Sequence, residues 1–205
     1  MKNHMSPSRF VRSSGGATAV EFALISMVFL GVLLGAIDMA RFAWEFNAQK
    51  AAARAGARFA AVHPPAVTEL ADFHAITACS GLGFGGGENL TSGIIPDYTC
   101  TSTSCTGTAA SGCGLSGAGT LSTTNFNAIV NYMKRYNPRI SASNVEIKYR
   151  ERGLGVAGNP FGTDVSPLIT VTLTGVTFRP IALRIFGVNL PLPSVATTIT
   201  AEDMS

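Results

Sequence analysis

The sequence predicts an α+β protein in which one long amino-terminal helix runs into a small domain built on an antiparallel sheet. Three observations lead there. Residues 17–37 are an apolar run of 21 residues whose one charge is Glu21, and no proline interrupts the chain from there to Pro64 and Pro65. Phe126, Ile129, Val130 and Met133 recur at helical spacing, and Asn137-Pro138 closes that segment. Three further stretches alternate apolar side chains with polar ones or threonines: Val145, Ile147 and Tyr149; Ile169, Val171 and Leu173; Val195, Thr197 and Ile199. They predict a sheet of about three or four strands.

The first helix is long enough to do more than cross a membrane. An apolar run of 21 residues matches the hydrocarbon thickness, and a helix over residues 17–62 would extend roughly 70 Å at 1.5 Å per residue. Residues 1–16 hold Lys2, Arg9 and Arg12 and no acidic residue, so the leader stays on the cytoplasmic side and the rest of the chain lies outside. Phe42, Trp44 and Phe46, just past the run, suit an aromatic belt at the outer interface. A secretory signal peptidase needs small residues at both cleavage offsets. Ala36 follows Leu34 at the outer offset, Ala40 follows Asp38 and Ala43 follows Arg41, so the helix stays attached to the rest of the chain.

Glu21 requires a reason, because a carboxylate inside an apolar helix is costly without a partner. If the chain is cut after Gly16, the new terminus at Ala17 lies one helical turn away and could neutralise a Glu21 in a neighbouring copy. Otherwise Glu21 sits at the interface and reaches water. Farther along, Arg41 and Glu45 are spaced to pair on the helix surface, and Lys50, Arg54 and Arg58 form a basic line. Small residues four apart (Ala36 and Ala40; Ala53, Ala57 and Ala61) permit close packing, either on the chain's own domain or on another helix.

Residues 63–205 are enough for one small domain. The net charge of +3 is modest and owes much to the leader, which argues against a nucleic-acid partner. Residues 66–78 suggest a short helix with Leu70, Phe73 and Ile76 on one side. Residues 77–124 contain no Lys, Arg or His but 11 of the 22 glycines, and read as a long loop. This loop holds Cys79, Cys100, Cys105 and Cys113. Their spacings lack the close ligand pair of a zinc site, and an extracytoplasmic location favours disulfides, with three connectivities open. Residues 153–167 are turn-rich. Residues 181–192 are apolar but interrupted by Arg184, Gly187 and Pro191, and are too short to span. They are expected over the sheet, or against a partner or the membrane surface.

No catalytic chemistry is visible. His4, His63 and His74 are scattered, and HExxH, GxSxG and Walker patterns are absent. Gly81-x-Gly83-x-x-Gly86 formally matches a dinucleotide fingerprint but neither follows a strand nor opens a helix. The expectation is a chain that is no enzyme, with no catalytic residue, cofactor or metal.

The local pattern Gly15-Gly16-Ala17-Thr18-Ala19-Val20-Glu21-Phe22 resembles the type III signal of type IV pilins and their relatives. VEFALI, the spaced Asp38, Arg41, Phe42 and Asn47, and then AAARAGARFAA over residues 51–61 resemble the TadE family, pilin-like proteins of the tight-adherence (Flp pilus) machinery. The resemblance implies a minor pilin or pseudopilin in the bacterial inner membrane. Its parts would be a leader (1–16), a transmembrane and amphipathic helix (17–62) and an extracytoplasmic pilin-like domain (63–205). A prepilin peptidase would cut between Gly16 and Ala17, and Glu21 would set subunit register or recruitment. The implied partners are that peptidase, other pilins or pseudopilins, and the tight-adherence membrane platform. The alternatives are an uncleaved, membrane-anchored periplasmic scaffold, and an anchored binding domain that uses the cysteine loop.

Overall fold

The computed structural model describes residues 14–108, 113, 115, 117–160, 162–184 and 187–201. Helix α1 (Ser14–Ala61) is followed by a short 3-10 turn at Thr68–Leu70 and one helical turn, α2 (Ala75–Ala78). Then come β1 (Tyr98–Cys100), β2 (Cys105–Gly107), β3 (Ala118–Gly119), α3 (Thr123–Lys134), β4 (Val145–Arg150), β5 (Leu168–Leu173), β6 (Thr177–Phe178), β7 (Leu190–Pro191) and β8 (Val195–Thr200). Six strands form one sheet in the order β3-β2-β1-β4-β5-β8, every neighbour antiparallel. Strands β6 and β7 make a separate ribbon.

The alternation read from the sequence sets which face of the sheet is buried. Ile147 lies opposite Val171 and Tyr149 opposite Ile169, and all four are buried. On the outer face, Thr170 and Thr198 share a hydroxyl hydrogen bond at 2.8 Å. The apolar face is covered by the carboxyl-terminal half of α1 and by α3, whose Phe126, Ile129, Val130 and Met133 are buried. Ser122 caps α3 by accepting from the Asn125 N–H. The two helices meet where α1 has no side chain. A Cβ on Gly56 would lie 2.6 Å from both Cγ and Sδ of Met133. The alanines at 52, 53, 57, 60 and 61 are also buried here, so this stretch of small residues packs on the chain's own domain.

The sheet is larger than the three or four strands expected, because residues 77–124 supply three more. Those strands are two or three residues long, too short for alternation to mark them, and backbone pairing and the Cys100–Cys105 bridge join them. Cys100 faces Cys105 in the β1–β2 register and is bonded to it, and Cys79 is bonded to Cys113. Both pairs lie in the main core. Residues 66–78 also depart from expectation. In place of one helix there are two short turns, with Leu70 and Phe73 buried and Ile76 exposed. Long-range bonds claim that backbone: Ala66 N–H donates to the Tyr149 hydroxyl at 2.9 Å, and Phe73 C=O accepts from Asp164 N–H at 2.9 Å.

Candidate functional site: the exposed half of the long helix

Helix α1 has two environments. Past Gln49 it is largely buried in the domain; from Gly16 to Ile37 no described part of the domain covers it. Eleven large apolar side chains between Val20 and Ile37 are exposed, from 42% at Leu33 to 74% at Met27. They lie all round the helix, so no single packing face would satisfy them. Full burial of each is worth about 1.5–3 kcal/mol, so an apolar surrounding along the segment would be strongly favourable. Residues 16–61 are, among the described residues, the one helix long and apolar enough to cross a membrane.

Gly16 and Ala17 lie in the first turns of α1, which starts at Ser14, and both are exposed. Glu21 is one turn on and exposed, with no hydrogen-bond or ion-pair partner among the described residues. The cysteines share a core with Ala52 and Ala57, roughly 54–62 Å along the helix from Gly16 at 1.5 Å per residue. The structure therefore groups Gly16, Ala17 and Glu21 at one end and the two disulfides at the other.

Between these ends the domain grips α1 through a collar that the sequence did not reveal. Asp38, the first charged residue after the apolar run, accepts the N–H groups of Ile181 and Ala182 at 2.8 Å each and pairs with Arg41 at 3.2 Å. One turn higher, Phe42 meets Phe178 edge to face at 5.5 Å, and Phe42 and Phe46 pack on Val176, Phe178 and Leu192. Above that, buried Glu45 pairs with Arg139 at 2.9 Å. The expected Arg41–Glu45 pair is therefore replaced, because each charge has a partner with shorter reach or greater burial. Phe42 and Phe46 are likewise turned toward the domain, leaving Trp44 as the exposed ring of the three. Of the apolar segment expected over the sheet, a partner or the membrane surface, Ile181 and Ala182 meet the helix at Asp38 and Leu192 packs by Phe42 and Phe46.

Elsewhere, Asp164 is a buried carboxylate. Burial alone would raise its pKa, but N–H groups of Gly158, Ala75 and Asn159, with His74 beside it, outweigh that and hold it below the ordinary value of 3.8. Its oxygens are occupied by backbone donors, which makes it a fastener between α2 and residues 153–167. Among the described residues no group of three or more His, Cys, Asp or Glu side chains is placed to hold a metal.

The exposed apolar segment, with its small-residue entry and Glu21, is also where the likeness to known proteins lies. Residues 16–58 match the TadE-like protein family. The TadE-like segment takes in the apolar run, the collar residues on α1 and most of the buried extension. The sheet, the disulfides and residues 181–192 lie beyond it. No curated protein and no solved structure matches the chain.

Proposed function

We propose that the chain is a minor pilin or pseudopilin of the tight-adherence (Flp) pilus. It would be cut by a prepilin peptidase between Gly16 and Ala17 and would serve assembly, with no catalysis of its own. The observation that carries this reading is the all-round apolar half of α1 with a Glu21 that has no partner among the described residues, within a TadE-like segment. Gly15 and Gly16 weaken the helix at the junction, since each glycine costs about 1 kcal/mol in a helix relative to alanine; that makes the junction easier to unwind into a peptidase. Once it is cut, the Ala17 ammonium of one copy supplies the charge that Glu21 of another lacks. Helices that leave the bilayer then bury their apolar surface against one another.

The leader's positive charge keeps residues 1–16 in the cytoplasm, so the domain stands outside the inner membrane with its disulfides in an oxidising compartment. The partners in this reading are the prepilin peptidase, other pilins or pseudopilins and the membrane platform. Sheared surface fractions from cells carrying wild type or Glu21→Ala test it. Wild type is expected in the pilus fraction, with the variant processed but retained in the membrane. Recovery of wild type only in the membrane, leader intact, would make it an uncleaved scaffold.

A further inference from the structure

We propose that the β6–β7 ribbon is a second membrane contact, a foot that rests in the outer interface of a bilayer containing anionic phospholipid. This rests on the reading that residues 17–37 span that bilayer. The ribbon's path supports it. At its upper end Phe178 and Leu192 pack on Phe42 and Phe46. Three residues after Phe178, the N–H groups of Ile181 and Ala182 reach Asp38, one helical turn nearer the apolar run than Phe42. One turn is about 5.4 Å, so the ribbon descends along α1 toward the membrane and is fastened at the residue next to Ile37.

What the foot presents there suits lipid. Ile181, Leu183, Val188 and Leu190 are exposed by 48, 40, 37 and 39%. Arg179 and Arg184 are exposed beside them, and no acidic side chain pairs with either among the described residues. Apolar side chains flanked by arginines are the composition of segments that lie in the headgroup region, where guanidinium groups meet phosphates and aliphatic chains enter the acyl boundary. On the helix itself, Met39, next to the Asp38 clamp, is exposed by 72%. The Asp38 clamp makes the foot rigid with respect to the span. The contact would hold the domain at one tilt on the membrane instead of leaving it to swing on a single helix.

The test uses the full chain in phosphatidylcholine–phosphatidylglycerol vesicles, with the single tryptophan moved. In a Trp44→Phe background, Val188→Trp reports the foot, Phe29→Trp the span and Ile76→Trp an exposed site elsewhere on the domain. Lipids brominated at shallow acyl positions should quench Val188→Trp, lipids brominated near the acyl ends should quench Phe29→Trp, and neither should change Ile76→Trp. Double replacement Arg179→Gln and Arg184→Gln should reduce quenching of Val188→Trp only. Quenching of Phe29→Trp alone, with Val188→Trp open to aqueous iodide, would overturn the foot while leaving the span intact. Shielding of Val188→Trp from both quenchers, strengthening with protein density, would assign the surface to a second copy and also overturn it. Absence of quenching at Phe29→Trp would remove the membrane reading itself.

Discussion

Arg139 reaches from the segment after α3 to the buried carboxylate of Glu45 on α1, with Nη1 2.9 Å from the acceptor. The Glu45 side chain is 7% exposed and that of Arg139 46% exposed, so the acid depends on this partner far more than the base does. Arg139→Met leaves a desolvated charge on α1 and is expected to destabilise the domain by roughly 1–3 kcal/mol, below the range for fully buried pairs because Arg139 is half in water. Adding Glu45→Gln should restore much of that loss. Urea unfolding of the full chain in detergent micelles, run as a double-mutant cycle, measures both, and purely additive losses would contradict the pairing.

The two disulfides should differ in worth. Cys79–Cys113 spans 34 residues and Cys100–Cys105 only 5. On the loop-entropy argument the long bridge stabilises by about 4 kcal/mol and the short one by about 2 kcal/mol. Paired Cys→Ala replacements, followed by thermal unfolding, should therefore show the larger drop in Tm for Cys79 with Cys113. Equal drops would mean that packing of the sulfurs, and not closure of the loop, sets their contribution.

Asp164 makes stability depend on pH in a definite direction. Its folded pKa is depressed, so its contribution is fully present above the unfolded value near 4 and is lost as pH falls through the folded value. Asp164→Asn should cost roughly 1–3 kcal/mol at neutral pH through lost backbone acceptors. The gap between wild type and variant should narrow as pH drops below about 4. Urea midpoints of both proteins across that range check the sign, and a constant gap would contradict it.

Much of this architecture was legible from local pattern. Phe126 to Met133 at helical spacing and the alternation at Val145–Tyr149 and Ile169–Leu173 arise from burial on one face, which leaves a periodic mark in the chain. The small strands from Tyr98 to Gly119 left none, because pairing of the Cys100 and Cys105 segments depends on backbone and sulfur, to which composition is blind. The collar was hidden for another reason. Asp38 and Ile181 are 143 residues apart, and a backbone N–H donor carries no sequence signature. The glycine at 56 could have been noticed, since a glycine inside an alanine-rich helix is costly unless something approaches closely; the approaching group is Met133. At the candidate site the order reverses. Glu21 stood out as a carboxylate in an apolar run and Gly16 and Ala17 through the resemblance to a pilin-type signal, and the structure adds that no group in the described chain meets Glu21.

The most direct test of the central claim is the intact mass and terminal peptide of the protein purified from its native membrane, in cells with an active prepilin peptidase. A mature chain beginning at Ala17, its length reduced by the 16 residues of the leader, is the predicted result. A chain that retains residues 1–16 would contradict processing at Gly16, and Glu21 would then be an interfacial carboxylate with no subunit terminus to meet.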